Sequence, residues 1–215
     1  MRGGGDHARL FRMKIHSAEF ELSAPDLAAC PRWALPEFAF IGRSNVGKSS
    51  LINLLTERRA LAKVSDLPGK TRLINFYVIN QRWSLVDLPG YGFAQVKKSE
   101  RSAFNAAVNE FLEARRNLAR VFVLIDSRLP PQANDLEFVR WLERSQPGFA
   151  LIFTKADKQS AAQSHANIAR FKAKLAEWRT EMPEIFLCSA KTRHGRMEVL
   201  AAIDATLTNR NRASG

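Results

Sequence analysis

The chain has little cysteine: Cys30 and Cys188 are the only two in 215 residues. Two thiols without metal-site spacing exclude a disulfide framework and a zinc module, so both are read as free. Long hydrophobic runs are lacking too. The longest, 121–125 and 149–153, reach five residues, against the roughly 20 that a spanning helix needs, which excludes an integral helical membrane protein. The first residues carry Gly3, Gly4, Gly5, Asp6, Arg9 and Arg12 with no apolar stretch, so no secretory signal is read and a cytoplasmic location is expected. Internal repeats and low-complexity tracts are absent. Acid is in deficit, with 21 Asp and Glu against 33 Lys and Arg for a net charge of +12. That excess favours a polyanionic partner, although a basic proteome or solubility alone would also account for it.

What is present is an ordinary globular composition, with 46% hydrophobic and 25% charged residues, enough for one domain with a substantial core. Short apolar runs alternate with stretches of helical period from residue 38 onward, the pattern of an α/β fold. Strands are predicted at 38–41, 73–79, 83–87, 121–126, 151–154 and 185–188. Helices are predicted to begin near Lys48, Ser99, Gln132, Ala161 and Arg196. Phe104, Val108, Phe111 and Leu112 share one helical face, and Leu136, Val139 and Leu142 another; both are core stripes. The expectation is a mostly parallel six-stranded sheet with helices on both faces. Residues 1–22 are expected as a partly flexible extension, 23–208 as the domain and 209–215 as a tail. Ligands of such folds sit beyond the carboxyl ends of the strands.

The first predicted strand runs into Gly42, Arg43, Ser44, Asn45, Val46, Gly47, Lys48, Ser49, followed by Ser50. This is a full match to the phosphate-binding loop G-x-x-x-x-G-K-[ST], in the strand, loop, helix context that the motif demands. Glycines let successive amides turn inward, and the helix after Gly47 adds its positive end. Lys48 is assigned to the β- and γ-phosphates and the Ser49 hydroxyl to magnesium. At the end of the third strand stand Asp87, Leu88, Pro89 and Gly90. Asp87 there reaches the magnesium shell through water, and the Gly90 amide meets the γ-phosphate. In the loop before the second strand come Gly69, Lys70 and Thr71; Thr71 is the second expected metal hydroxyl, with Ser65 as its competitor.

The base is read after the fifth strand by Thr154, Lys155, Ala156 and Asp157. A carboxylate accepts from guanine N1–H and the exocyclic amine, whereas adenine offers an acceptor at N1 and no amine. An unpaired carboxylate would penalise adenine by factors on the order of 10⁴. The Lys155 stem packs over the ring, and Ser189, Ala190 and Lys191 close the O6 side. GTP with magnesium is therefore the expected substrate, GDP the product, and Asp157 disfavours an ATP-dependent kinase.

These five elements, from Gly42 to Lys191, resemble the translation-factor-related GTPases. The 87–94 segment Asp-Leu-Pro-Gly-Tyr-Gly-Phe-Ala, the 68–71 loop, Asp126-Ser127-Arg128 with Asp135 and Trp141 beyond, and the 153–158 segment narrow the resemblance to the EngB (YihA/YsxC) family. The 15–20 segment is similar to that family's opening, which makes Met13 a second candidate start. The resemblance implies a bacterial GTPase that assists assembly of the large ribosomal subunit and is required for normal division. The implied partners are the subunit or its precursor and ribosomal RNA, with no membrane, and the protein is expected as a monomer. Tyr91 stands where Ras-type proteins place a water-orienting glutamine, so unassisted turnover is expected to be slow. Tyr91 and Phe93 either pack on the core or meet a partner. Lys48, Thr71 and Gly90 are read as catalytic together with Asn45, for which two readings stand: a local hydrogen bond in the loop or, as the resemblance implies, a potassium ligand beside the phosphates.

Two other classes are weighed. A signalling GTPase on a membrane predicts a lipidation site, yet residues 209–215 contain no cysteine. A nucleotide-holding module without hydrolysis is kept open by the missing glutamine. Lys97, Lys98 and Arg101, and beyond the next helix Arg115, Arg116 and Arg120, are the bases expected to face RNA.

Overall fold

The 37–42 stretch EFAFIG is apolar on both sides of a pleat, which suits a strand covered on both faces. It forms β2 (Glu37–Gly42), the centre of the sheet. The structure, a computed structural model, describes residues 13–62, 73–91, 98–144 and 148–213, with the side chains of 98–105 and 213 excluded. The expected residues Ser65, Gly69, Lys70, Thr71, Phe93 and Lys97 lie outside the described residues, as do the side chains of Lys98, Arg101 and Phe104.

In chain order the elements are β1 (Ala18–Ala24), β2, α1 (Lys48–Thr56), β3 (Ile74–Ile79), β4 (Trp83–Asp87), α2 (Lys98–Ala114), β5 (Leu118–Asp126), α3 (Ala133–Arg144), β6 (Phe149–Thr154), α4 (Ala161–Ala176), β7 (Glu184–Leu187) and α5 (Arg196–Ala213). The sheet order is β1-β3-β4-β2-β5-β6-β7. From β4 to β7 the strands are parallel, while β3 is antiparallel to both β4 and β1. This is the mostly parallel α/β sheet expected, with one correction: it has seven strands rather than six. β1 escaped the hydrophobic pattern because only its ends, Ala18 and Ala24, are fully buried. Its middle residues Glu19, Phe20 and Glu21 are exposed at the sheet edge. The boundary expected after residue 22 falls inside this strand. Lys14, His16 and Ser17, just before it, are bonded to the domain as well. The Asn80 side chain accepts from the His16 and Ser17 amides at 2.7 and 3.1 Å and donates to the Lys14 carbonyl at 2.7 Å.

Strand alternation divides the interior into two layers. Phe38, Phe40, Phe122 and Leu124 face α1 and α5, where Leu51, Leu55, Val199 and Ile203 are buried. Ala39, Ile41, Val121, Val123 and Ile125 face the other way, onto Phe111 of α2, Val139 and Leu142 of α3 and Phe171 of α4. The core stripes read in α2 and α3 are thus buried as expected at Val108, Phe111, Leu112, Val139 and Leu142. Cys30 and Cys188 are free and buried.

Two of the bases expected to face RNA are used internally. Arg115 donates from Nε and Nη2 to the two oxygens of the wholly buried Glu37, at 2.8 and 2.6 Å, and from Nη2 to the Pro31 carbonyl at 2.7 Å. Arg120 lies over the Phe122 ring and pairs with Glu184. A guanidinium satisfied by a buried carboxylate cannot also neutralise a phosphate, so Arg115 is corrected to a structural role, while Arg120 is half-buried and its partner Glu184 is exposed. Arg116 is exposed.

Candidate nucleotide-binding site

Five loops meet where β2, β4, β5, β6 and β7 end. The first, residues 42–49, leaves β2 and bends through Asn45 at φ 60° and Gly47 at φ 100°. Asparagine and glycine tolerate that left-handed region best. Gly47 caps α1 without a side chain, and no acid occupies the first turn. The helix N-terminus, with its amide groups and positive dipole end, is therefore open to an anion.

The second loop follows β4, whose Asp87 lies beside Phe40 of β2. Asp87 is nearly buried and accepts from Lys48 Nζ. Gly90 lies so close to the first loop that a Cβ there would sit 2.6 Å from the Gly42 carbonyl oxygen. Only glycine fits this approach. Tyr91, next along, stacks its ring on Phe138 with centroids 4.3 Å apart and donates its hydroxyl to Asp135 at 3.0 Å. Burial, then the nearby Asp135 carboxylate, pushes this hydroxyl well above its ordinary pKa, so it keeps the proton it donates. Of the two readings of Tyr91, packing is the one observed.

The base side is built by the ends of β6 and β7. Thr154 Oγ1 donates to the Val46 carbonyl at 2.6 Å, joining base loop to phosphate loop. Lys155, left-handed at φ 61°, reaches back so that Nζ donates to the Asn45 carbonyl at 2.5 Å and to Asp126 Oδ2 at 2.8 Å. The Ala156 amide bonds the Cys188 carbonyl at 3.1 Å, placing the next residue, Asp157, against the β7 loop. There Ser189 Oγ donates to Asp157 Oδ1 at 2.6 Å and accepts the Thr192 amide at 3.1 Å. The Ser189 hydrogen bond holds the Asp157 carboxyl below its ordinary pKa, so it is an acceptor only at neutral pH. Asp157 Oδ2 is buried without a partner. The Asp157 residue lines a cavity of about 410 Å³ together with Gly47, Ser50, Lys155, Ala190 and Lys191.

The structure thus brings together the phosphate loop, Asp87, Gly90 and both base loops. Asn45 is exposed, and its side chain has no hydrogen-bond partner among the described residues. Arg43 turns its guanidinium away, onto Asp135 at 2.8 Å. Sequence reasoning assigned no role to Asp126, although an acid at the end of the strand beside the base-reading one was a signal. It accepts from Lys155 and from Arg128 Nε and Nη2 at 2.8–2.9 Å. Burial alone would raise its pKa, but those bonds outweigh burial and bring it down to about 2.

No group of three or more His, Cys, Asp or Glu among the described residues forms a metal cage. A serine hydroxyl and one carboxylate beside a phosphate site are instead the oxygen donors magnesium takes when phosphates complete its shell. The fit is therefore good at Ser49 and Asp87. No helix among the described residues is long and apolar enough to cross a membrane.

Residues 37–155 match the family model described as "50S ribosome-binding GTPase". The chain is 50% identical over 192 residues to a "Probable GTP-binding protein EngB" of Christiangramia forsetii, covering 89% of this chain and 97% of that one. Identity to the protein of the same name from Bacteroides thetaiotaomicron is 47%, over 89% and 95%. Among solved structures, a probable GTP-binding protein engB superposes with a TM-score of 0.60 at 23% identity, covering 80% of this chain and 99% of that one.

Proposed function

The chain belongs to the EngB family of GTP-binding proteins, and from that premise we propose that it is a slow, magnesium-assisted GTPase switch acting on the assembling large ribosomal subunit. The observation that carries the guanine reading is Asp157, an ionised carboxylate that lines the cavity, with one oxygen bonded to Ser189 and the other buried and unpaired. An unpaired buried acceptor is costly, and guanine N1–H with the 2-amino group supplies the donors it lacks. Adenine would leave it unpaired.

Each residue then has a role. Amides of 43–48 and the α1 dipole bind the phosphates. Lys48, beside Asp87, moves onto the β- and γ-oxygens and offsets the charge that gathers there during transfer. The Gly90 amide contacts the γ-phosphate. Ser49, together with Thr71, would hold magnesium directly and Asp87 through water; the ion would supply positive charge to offset that of the phosphates. Potassium beside Asn45, whose exposed side-chain amide has no hydrogen-bond partner among the described residues, is part of the same proposal. Tyr91 gives no help to a water: its hydroxyl is bound to Asp135, which supports slow unassisted turnover. The large-subunit partner rests on the family and on the basic charge of the chain.

Asp157→Asn tests the site. An amide donates to the C2 carbonyl of xanthine where the carboxylate accepted guanine's amine, so GTP affinity should fall by roughly 10²-fold or more while XTP affinity rises. A folded variant with undiminished GTP affinity would contradict the assignment.

A further inference from the structure

Arg43, Tyr91 and Asp135 come from three separate parts of the chain: the second residue of the phosphate loop, the residue after the 87–90 turn, and the first turn of α3. They meet on one atom. Arg43 Nε donates to Asp135 Oδ1 at 2.8 Å, and the Tyr91 hydroxyl donates to the same oxygen at 3.0 Å. Asp135 is wholly buried, and its Oδ2 has no partner. Three residues further along α3, Phe138 stacks on the Tyr91 ring with planes 16° apart.

An acid in the first turn of a helix is favoured by the dipole, but that benefit is available to an exposed side chain. Burying the carboxylate is costly, and leaving one oxygen unpaired adds to the cost. Asp135 instead joins two segments that contact phosphate. Tyr91 is the neighbour of Gly90, and Gly90 rests on the phosphate loop, 2.6 Å from the Gly42 carbonyl oxygen and 3.4 Å from the Ser44 amide nitrogen as measured from an added Cβ. Fixing Tyr91 therefore fixes Gly90 to within one peptide unit. The same carboxylate neutralises the Arg43 guanidinium and anchors the loop on which Gly90 lies.

We infer that Asp135 is a positioning residue for triphosphate recognition: through Tyr91 and Arg43 it sets the 87–90 turn against the phosphate loop, so that the Gly90 amide is aligned on the γ-phosphate before nucleotide arrives. The inference rests on the GTP-site reading above. It makes a selective demand, because GDP has no γ-phosphate and does not use Gly90 in this way. Loss of the join loosens binding of the triphosphate and spares the diphosphate.

The test uses the full-length protein and two variants, Tyr91→Phe and Asp135→Asn, with affinities measured for GDP and for a non-hydrolysable GTP analogue. Tyr91→Phe keeps the ring on Phe138 and deletes only the donor. The expected result is a loss of analogue affinity on the order of tenfold, as for one hydrogen bond to a charged group, with GDP affinity held to within about twofold. Asp135→Asn leaves an oxygen to accept the Tyr91 hydroxyl but removes the charge facing Arg43, so it too should weaken the analogue more than GDP. Equal loss for the two nucleotides, or no loss for either in Tyr91→Phe, would overturn the positioning role while leaving the site reading intact. Wild-type protein that bound neither nucleotide would overturn the site reading and this inference with it.

Discussion

Asp126 holds two cations on one carboxylate at the edge of the site, and that has a consequence for acid stability. Its pKa is about 2 in the folded chain against an ordinary 3.8, so between those values the folded state binds fewer protons than the unfolded one. The stability it contributes is fully present above about pH 4 and is lost as pH falls towards 2. The size is about 2 kcal/mol. Asp126→Asn should therefore flatten the acid limb of a stability-against-pH curve in that window, and an unchanged limb would show that the Lys155 and Arg128 bonds contribute nothing. Asn45 makes a different residue-scale prediction. If its amide oxygen helps hold potassium, single-turnover hydrolysis is faster in potassium than in sodium at matched ionic strength, and Asn45→Ala removes the difference; equal rates in the two salts would exclude that role. The contiguous motifs at 42–49, 87–90 and 154–157 were legible because each is one loop at one strand end. The partners of Asp135 were not. Arg43 is 92 positions away and Tyr91 44, and nothing in local spacing points from one to the others.

At the scale of elements, the end of α2 is fastened to the start of β2 by Arg115 and Glu37. Glu37 has no exposure and also accepts from Trp33 Nε1 at 2.7 Å, while Arg115 lies over the rings of Phe76 and Phe111. Removing one partner of a buried pair strands the other charge, so Arg115→Ala should cost about 3–5 kcal/mol. For a chain of this size that is roughly a 10 °C fall in Tm. Because the pair lies at the opposite ends of the strands from the site, GTP affinity should be unchanged. A melting scan paired with a nucleotide titration checks both, and an unaltered Tm would contradict the structural role. The pair was illegible because its members are 78 residues apart, and an isolated arginine after a helix reads as a surface base. β2 to β7 and the starts of α1 to α5 were legible by contrast, since the inner strands are buried on both faces and give apolar runs, the half-buried β7 keeps the apolar run 185–187, and helices give their own period. β1 gave neither, being an edge strand buried only at its ends.

For the whole molecule, the +12 charge is distributed differently from its appearance along the chain. Arg128 and Lys155 are paired with Asp126 beside the site, and Arg115 and Arg120 with Glu37 and Glu184 at the opposite ends of the strands. The bases left for RNA phosphates are fewer, among them the exposed Arg116 and Arg58. Binding to a large subunit through such bases would weaken steeply with salt, because each phosphate contact releases a counterion. A switch requires in addition that one nucleotide state make a contact the other lacks. Co-sedimentation with large ribosomal subunits, in GDP or a non-hydrolysable GTP analogue across a salt series, measures both at once. The account predicts tighter binding with the analogue and a steep fall with salt. Binding that ignored nucleotide and salt alike would contradict it.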